Sequence, residues 1–382
     1  MIARRLKANY NTCLNIILKF CKNPAKIDWE QEMRIAPAPL AYPNTDSRPT
    51  WSPDSRRVIA EVGSNTVVAT RNAPSDTESF GENPTWVNYP DWSPQGDSVA
   101  FSAHASRAEG EKASWGIYTC DAEGKNYNRI LNDAKVPEYN PQGDKLVYQL
   151  LKSGTPDRLA VADADGENSV IVGGGGVLQA DYSWAPQGHQ IAYDTYKDGR
   201  YQLRITDITG RKDRTITDGQ GGLYKDRTPE WSPDGKTILF ERHNRVVPQS
   251  DLWTLDLQTG QEKQLTSYPG RVYDAAWAPD GSRIAFLSSM EGGDEMDLYL
   301  MDSDGKNMKQ LSGLPGDEYA PSWSPDGKAI AFTRLDWSRR RNDPERYNLH
   351  IIEVAIKHVR RRIQQTQCAI NLERIQFVSP GK

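Results

Sequence analysis

One turn motif recurs seven times along this chain of 382 residues and constrains its fold more than any other feature. The motif is clearest as Trp231-Ser232-Pro233-Asp234-Gly235, in which proline stands two positions and glycine four positions after an aromatic anchor. Proline presets φ in such a turn, and glycine accepts the positive φ that lets a hairpin resume. The other copies begin at Trp51, Trp92, Tyr139, Trp184, Trp277 and Trp323, spaced 41 to 47 residues apart, and only Ser55 replaces the glycine.

Each repeat carries the pattern of four short strands. The anchor ends the first strand, and an apolar triplet seven to nine positions later, such as Ile284-Ala285-Phe286, lies in the second. Three consecutive apolar residues indicate a sheet covered on both faces, because side chains alternate across a strand. A third strand ends in an Asp-x-x-Gly turn, and a polar fourth strand suits an exposed edge. At a period near the ~40–45 residues of propeller blades, the repeats predict an all-β fold, a single β-propeller.

Seven repeats favour seven four-stranded blades. Residues 377–381 resemble the start of a further copy, so an eighth blade shared by the two termini is one alternative and a six-bladed ring is another. Residues 1–26 predict a short N-terminal amphipathic helix or a poor signal segment, because Lys19 interrupts the apolar run that an export signal needs. Residues 27–47 are expected to be an extended linker, and residues 48–382 the propeller.

The anchor turn, the apolar triplet and the Asp-x-x-Gly turn together resemble the TolB-type, WD-like β-propeller repeat family over roughly residues 48–365. The family's namesake is a periplasmic protein that binds a peptidoglycan-associated lipoprotein and carries an α/β domain before a six-bladed propeller. This chain departs from that arrangement in its seven repeats. The resemblance implies a periplasmic or cell-envelope location, whereas a cytoplasmic location is expected if residues 1–26 are not a signal.

Composition and motifs narrow the possible partners and activities. With a formal net charge of −4, the chain lacks the overall positive charge that is typical of proteins that bind nucleic acid. No apolar run approaches the ~18 residues of a transmembrane helix. The four cysteines fit neither a zinc spacing nor a disulfide framework, and the sequence has no G-x-S-x-G hydrolase elbow. We therefore expect a monomer that needs no cofactor and that binds a protein or peptide, or a glycan.

The loops of the predicted blades differ between the two faces of the disc. The anchor turns and Asp-x-x-Gly turns are short and share one face. The loops between second and third strands, and those between blades, are long and varied; they form what we call the loop-rich face. Variable loops on a rigid scaffold are where binding usually resides. The sequence therefore predicts the functional site on the loop-rich face.

Residues three or four positions before each anchor are expected to rim the central channel on that face. They combine tyrosines with charges of both signs: Arg48, Tyr89, Lys135, Asp181, Arg227, Tyr273, Asp274 and Tyr319. Such a ring suits a polar small ligand or a peptide end. The alternative is a water-filled channel whose charges pair with one another.

A second candidate surface joins the loops of the sixth and seventh repeats. One loop is acidic over residues 291–297, and its neighbour carries Arg339, Arg340, Arg341 and Arg346. These charges can pair with each other, in which case each exposed pair contributes only ~0–1 kcal/mol. The more specific hypothesis is that the four arginines bind a charged partner.

The function predicted from these features is a non-catalytic scaffold that binds a protein, peptide or glycan on its loop-rich face. The alternative is a propeller enzyme, an oligosaccharide lyase or hydrolase with its site in the channel. Related propeller lyases hold a metal on several histidines, whereas His104 and His243 fall in repeats three apart and His350 falls on a third strand. We expect no metal site, and the Asp-x-Asp-Gly sequences at Asp163 and Asp302 predict turns, since they lack a calcium loop's glutamate.

Overall fold

The structure is a computed structural model. It describes residues 38–40, 48–62, 65–80, 87–105, 114–151, 157–173, 177–268, 270–289, 295–336, 338 and 347–354. The predicted helix in residues 1–26 and the partial repeat at residues 377–381 lie outside these ranges. Over the ranges given, no helix has both the length and the apolar character that crossing a membrane requires.

Seven four-stranded sheets follow the seven repeats, and each sheet is one blade. A short strand, β1 (Ala38–Leu40), precedes the first blade along the chain. Blade 1 consists of β2 (Thr50–Trp51), β3 (Arg57–Val62), β4 (Asn65–Thr70) and β5 (Ala73–Ser79). Blade 2 consists of β6 (Val87–Trp92), β7 (Ser98–Ala105), β8 (Ser114–Asp121) and β9 (Asn128–Asn132). Blade 3 consists of β10 (Ala134–Tyr139), β11 (Lys145–Leu150), β12 (Arg158–Asp163) and β13 (Val170–Ile171).

The remaining blades repeat this arrangement. Blade 4 consists of β14 (Val177–Trp184), β15 (Gln190–Lys197), β16 (Arg200–Asp207) and β17 (Arg214–Thr217), and one helical turn, α1 (Gly219–Gly222), follows it. Blade 5 consists of β18 (Tyr224–Trp231), β19 (Thr237–Asn244), β20 (Ser250–Asp256) and β21 (Glu262–Gln264). Blade 6 consists of β22 (Val272–Trp277), β23 (Arg283–Ser288), β24 (Asp297–Asp302) and β25 (Lys309–Gln310). Blade 7 contains β26 (Asp317–Trp323), β27 (Ala329–Leu335) and β28 (Tyr347–Glu353). The prediction of an all-β propeller with seven four-stranded blades is confirmed, so the six- and eight-bladed alternatives are wrong.

The fourth strand of blade 7 comes from the start of the chain. Strand β1 pairs antiparallel with β28, with Ala38 opposite Leu349 and Leu40 opposite Tyr347. The structure thus assigns part of the predicted linker to a sheet. Residues 358–365, whose polar pattern also suits an outer strand, lie outside the described residues. A ring closed in this way joins the two ends of the chain within one sheet.

The aromatic anchors are buried between neighbouring blades, as predicted. Several of them also donate a hydrogen bond to the preceding blade. The indole Nε1 of Trp323 donates to the carbonyl of Ala276 at 3.2 Å, and that of Trp51 donates to Ser322 at 3.0 Å. The second bond runs from blade 1 to blade 7. Anchors therefore hold the ring together in addition to filling its core.

The anchor turns have the backbone conformation that the motif predicts. Gly235 has φ +71°, and the exceptional Ser55 has φ +62°. A Cβ placed on Gly235 would come within 2.9 Å of the Gln187 amide in blade 4. Glycine is thus favoured by the positive φ, whereas the Gln187 side chain could move aside for a Cβ. The hydroxyl of Ser55 instead accepts a hydrogen bond from the N–H of Asp326 at 3.1 Å, which links blade 1 to blade 7.

Candidate functional site

The innermost strands share a bulge just before the anchor, on the side of the loop-rich face. In blades 2 to 7 the pairing register with the second strand shifts at this point. The residue three positions before the anchor has positive φ at Tyr89, Val136, Thr228, Asp274 and Ala320. A non-glycine residue in this conformation costs about 1–2 kcal/mol. The predicted rim residues lie at this bulge, where the backbone leaves the regular strand.

Side chains from the preceding blade hold the bulges in place. The N–H of Tyr89 donates to the Glu61 carboxylate at 2.5 Å, and that of Asp274 donates to the Glu241 carboxylate at 2.7 Å. Glu61 and Glu241 each stand ten positions after their own anchor, within the second strand. Each is buried. The strain of the bulge is therefore offset by a charge-assisted hydrogen bond between blades.

A set of carboxylates immediately precedes the anchors of three blades. Asp91 accepts from the N–H of Tyr139 at 2.7 Å, and Glu230 accepts from that of Trp277 at 3.1 Å. Burial raises the pKa of Asp91 to about 7, that of Glu138 to about 8 and that of Glu230 to about 7. These carboxyl groups connect the inner strands of successive blades and are poised to change charge near neutral pH.

Arg227 pairs with two other carboxylates, those of Asp181 and Asp194. Its guanidinium lies 3.2 Å from Asp181 and 3.4 Å from Asp194. Burial raises the pKa of Asp181 to about 6 although the Arg227 charge opposes the shift. Burial also raises the pKa of Asp194, and the neighbouring Asp181 charge adds to the effect. The predicted rim residues Asp181 and Arg227 are thus in direct contact.

Arg48 is the second guanidinium in this region. It lies at the start of blade 1 but feels the negative charges of Asp274, Glu230 and Asp181, which belong to blades 4 to 6. Arg48 is solvent-accessible, but the surrounding protein still desolvates its guanidinium, which would lower its pKa; the negative charges outweigh this effect and raise that pKa. Four predicted rim residues therefore form one electrostatic group, in agreement with the alternative of a channel whose charges pair with one another.

The remaining predicted residues make other contacts. The Tyr319 hydroxyl donates to Asp317 at 3.1 Å, and the Tyr273 ring packs on the His243 ring with centroids 5.4 Å apart. Tyr89 and Lys135 are half-buried on the inner strands of blades 2 and 3. A ligand role for these residues stays a prediction. The four arginines at positions 339, 340, 341 and 346 lie outside the described residues.

The raised pKa values predict how stability depends on pH. A carboxyl whose pKa is about 7 in the folded protein and about 4 in the unfolded chain destabilises the fold as pH rises from 4 through 7. Asp91→Asn should therefore gain stability relative to the parent protein between pH 5 and pH 8 in denaturant titrations. Asp234→Asn is the control, because the Ser232 hydroxyl lowers the pKa of Asp234. Parallel curves of unfolding free energy against pH for the parent and Asp91→Asn would contradict the raised pKa of Asp91.

A cleft opens between blades 5 and 6 on the loop-rich face, with a volume of about 330 Å³. We call it the blade 5–6 cleft. Its walls combine cationic, aromatic and amide side chains from the inner strands and the loop between β19 and β20: Lys225, Arg227, His243, Asn244, Val247, Pro248, Gln249, Ser250, Arg271 and Tyr273. Arg227 and Tyr273 were predicted as rim residues. The other members were missed, because they come from loops that only the fold brings together.

Exposed apolar side chains gather around the same part of the face. Val246 is 90% exposed and Leu223 is 68% exposed, and Val247, Tyr268 and Tyr196 are also exposed. We call these five residues the apolar cluster. They belong to the loops and strand ends of blades 4 and 5 and to the connection that leads to blade 6. The two other large apolar residues that are exposed in the described chain, Val170 and Ile171, form the outer strand of blade 3.

The described histidines His104, His189, His243 and His350 belong to blades 2, 4, 5 and 7. His104 packs on Trp115 in blade 2, with ring centroids 5.4 Å apart, and His243 bonds Glu241 at 2.7 Å in blade 5. His350 is buried against Phe332 in blade 7, and burial lowers its pKa to about 4. Over the described ranges, no three His, Cys, Asp or Glu residues form a group suited to a metal ion.

These features define a class of protein: a closed seven-bladed β-propeller with a channel of paired charges and an irregular face that carries an apolar cluster. The family described as TolB beta propeller domain matches residues 42–245, 155–294 and 198–369. These matches cover most of the chain. The protein belongs to the TolB beta-propeller family, which confirms the resemblance predicted from the anchor turns.

Two relatives are similar in sequence over part of the propeller. The Tol-Pal system protein TolB of Chromobacterium violaceum is 32% identical over 120 residues, which are 30% of this chain and 24% of that protein. The Tol-Pal system protein TolB of Wolinella succinogenes is 30% identical over 142 residues, 37% of this chain and 32% of that protein. The aligned segments thus span about a quarter and a third of the two relatives.

A solved structure shares the overall fold. The oligogalacturonate lyase of Vibrio parahaemolyticus superposes with a TM-score of 0.60 over 85% of this chain and 97% of its own, at 12% identity. At this level of identity the likeness shows the fold alone. The propeller fold is therefore shared with an enzyme as well as with proteins of the Tol-Pal system, and function has to be argued from the side chains of the loop-rich face and the channel.

Proposed function

We infer that this protein is a non-catalytic scaffold that binds another protein through the loop-rich face of blades 4 to 6. The apolar cluster carries this proposal. Monomeric proteins seldom expose several large apolar side chains side by side, and a polar-rimmed apolar patch is typical of an interaction surface. Burying such side chains against a partner stabilises a complex by roughly 25 cal/mol for each Å² of apolar surface removed from water.

Contacts between side chains connect the cluster to the cleft. The rings of Tyr196 and Tyr201 lie 4.9 Å apart, and the Lys225 ammonium lies 5.0 Å from the centre of the Tyr201 ring. Arg245 donates to the carbonyl of Gly222 at 2.8 Å, which links the blade 5 loop to α1. These contacts place cationic groups next to members of the apolar cluster. The composition of this surface is that of a protein interface with a charged rim.

Membership of the TolB beta-propeller family supports the same proposal. The two relatives described above are proteins of the Tol-Pal system, and they share propeller sequence with this chain. Neither comparison identifies the partner of this protein. The partner has to be found by capture from the organism's own extract.

A pair of matched variants tests the proposed surface. Val246→Glu places a charge in the apolar cluster, whereas Val170→Glu places the same charge on the outer strand of blade 3. We expect the first variant to lower recovery of the main captured protein about tenfold or more, because a desolvated carboxylate opposes binding. The second should bind like the parent. Both melting temperatures should stay within about 2 °C of the parent, since surface substitutions cost within ~0.5 kcal/mol.

Equal capture by both variants and the parent would contradict the proposal. Loss of capture accompanied by an equal loss of stability in Val246→Glu would also count against it, because that residue would then be structural. Mass spectrometry of the captured fraction identifies the partner in either case.

A second candidate function rests on the channel carboxyls. Groups such as Asp91 and Glu230, whose pKa burial raises to about 7, suit general acid or base catalysis near neutral pH. An oligosaccharide lyase or hydrolase acting in the channel is the enzyme that this chemistry would fit. Stoichiometric manganese or calcium in the purified protein, together with cleavage of an oligogalacturonate, would favour the enzyme over the scaffold.

A further inference from the structure

The blade 5–6 cleft carries two cations that have no acidic partner. Neither Lys225 nor Arg271 has a carboxylate within 4 Å among the residues that the structure describes, although Lys225 contacts the Tyr201 ring. Arg271 is exposed, and Lys225 is half-buried in the wall of the cleft. The two residues come from β18 and from the start of β22, so they face the cleft from neighbouring blades. A cleft walled in this way offers positive charge from two sides.

The acidic groups near the cleft are already engaged. Glu241 bonds His243 through one carboxylate oxygen at 2.7 Å and the N–H of Asp274 through the other at 2.7 Å. Asp226 binds the Arg242 guanidinium through both oxygens, at 2.7 and 2.8 Å. These carboxylates are therefore committed to partners inside the fold. Among the residues that the structure describes, the positive charge of the cleft is therefore not neutralised.

The side-chain amide of Asn244 adds uncharged hydrogen-bond donors to the two cations of the cleft. The side-chain oxygen of Asn244 accepts from the N–H groups of Val246 and Val247, at 2.8 and 3.2 Å. Its amide N–H groups have no partner among the described residues. The Tyr273 ring forms an apolar wall against which a short side chain can pack. Ammonium, guanidinium and amide donors next to an aromatic wall are what an aliphatic carboxylate needs.

We propose that the blade 5–6 cleft binds an Asp or Glu side chain within an acidic peptide segment of a protein partner, next to an apolar residue that covers Val247. This proposal rests on the proposed function and names the chemistry of the partner. We propose a peptide as the ligand in preference to a free acid, because the cleft and the apolar cluster share a residue. Val247 lines the cleft and also belongs to the apolar cluster, so one ligand has to present both a carboxylate and an apolar side chain.

The probe is a library of random heptapeptides displayed on phage and selected on the intact protein. Selected peptides should be enriched in Asp or Glu flanked by apolar residues. They are then synthesised with a fluorescein label, and their Kd is measured by anisotropy. Replacing the selected Asp or Glu by its amide should weaken binding about tenfold or more, and raised salt should weaken the acidic peptide more than its amide.

Matched charge reversals locate the site on the protein. Lys225→Glu combined with Arg271→Glu should weaken the acidic peptide about tenfold or more. Lys236→Glu combined with Lys306→Glu makes the same change of charge in turns of blades 5 and 6 on the opposite face, and should leave the Kd unchanged. The melting temperature of both proteins shows that each is folded.

The remaining outcomes overturn the proposal. Selection without enrichment of Asp or Glu, or equal weakening by the two double variants, removes the cleft as a carboxylate site. Full competition by free glutarate at an affinity equal to that of the peptide shows that a small acid binds there. Capture of the natural partner separates this inference from the proposed function. If Val246→Glu abolishes capture but the Lys225 and Arg271 reversal does not, this inference is refuted while the proposed function stands.

Discussion

Replacing Trp323 by alanine is expected to lower the free energy of unfolding by about 3–5 kcal/mol, the range for removal of a buried aromatic side chain. The indole is buried between blades 6 and 7, so the substitution leaves a cavity that the surrounding strands cannot fill completely. It also removes the bond from Nε1 to the Ala276 carbonyl at 3.2 Å. Denaturant titration measures this loss of unfolding free energy. The slope of the free energy against denaturant concentration, compared between variant and parent, shows whether the denatured state is unchanged.

Phenylalanine substitutions separate the packing from the hydrogen bond. Trp323→Phe keeps most of the apolar volume but removes the bond to Ala276. Trp277→Phe removes an indole whose Nε1 has no hydrogen-bond partner in the described structure. We expect Trp323→Phe to cost about 1 kcal/mol more than Trp277→Phe, which is the usual net value of one such bond. Equal costs would show that the bond between blades contributes nothing, and a small cost for Trp323→Ala would contradict its place in the core.

Arg242→Met is expected to cost about 3–5 kcal/mol, because it leaves a buried carboxylate without its counter-charge. Arg242 and Asp226 are both buried, and the guanidinium bonds both carboxylate oxygens at 2.7 and 2.8 Å. It also bonds Glu262 at 2.6 Å and covers the Trp253 ring at 4.7 Å. Burial would lower the pKa of Arg242, but the bonds to Asp226 and Glu262 outweigh it and raise that pKa.

The double variant shows whether the cost comes from the uncompensated charge. Asp226→Asn alone leaves Arg242 with Glu262, whereas Arg242→Met alone leaves Asp226 with the N–H of Gly219 at 3.2 Å. Combining Arg242→Met with Asp226→Asn should therefore be less destabilising than the sum of the two single changes, by about 1–3 kcal/mol. Additive costs would contradict the account of this pair, since they would mean that the two groups do not interact.

The fold could be predicted from the sequence because its repeating unit is local. The anchor, proline and glycine of each turn, and the apolar triplet that follows, fix a hairpin within about a dozen residues, and seven copies leave few architectures open. The closure of the ring was predicted only in outline, because pairing between the two termini was expected in an eighth blade and occurs in the seventh. Residues 38–40 match no part of the repeat, and they form a strand only because β28 offers an unpaired edge. Pairing between distant parts of a chain leaves little trace in local pattern.

Part of the predicted channel rim forms one charged group, while a binding role for the rim residues stays a prediction. Spacing from the anchor placed Arg48, Asp181, Arg227 and Asp274 near one another, and the structure brings their charges together. The acidic residues beside them were missed for a physical reason. A charged residue such as Glu241, which directly follows the apolar triplet of its strand, is expected to face solvent, whereas here it is buried and holds the bulge of the next blade.

The blade 5–6 cleft was missed for a different reason. Its cationic residues, Lys225 and Arg271, lie in separate repeats and have no spacing in common with a known motif. The loops that form it were correctly placed on the loop-rich face. Only the packing of blade 5 against blade 6 shows that these side chains share one cavity. Sites that arise between repeats depend on tertiary geometry, which sequence patterns describe poorly.

Hydrogen–deuterium exchange of the protein with and without its captured partner tests the central claim most directly. The account predicts slower exchange on binding around Leu223, Val246 and Tyr268, and no change in the anchor turns on the opposite face. Protection confined to the anchor turns or to the outer strands would contradict the claim that the loop-rich face of blades 4 to 6 is the binding surface.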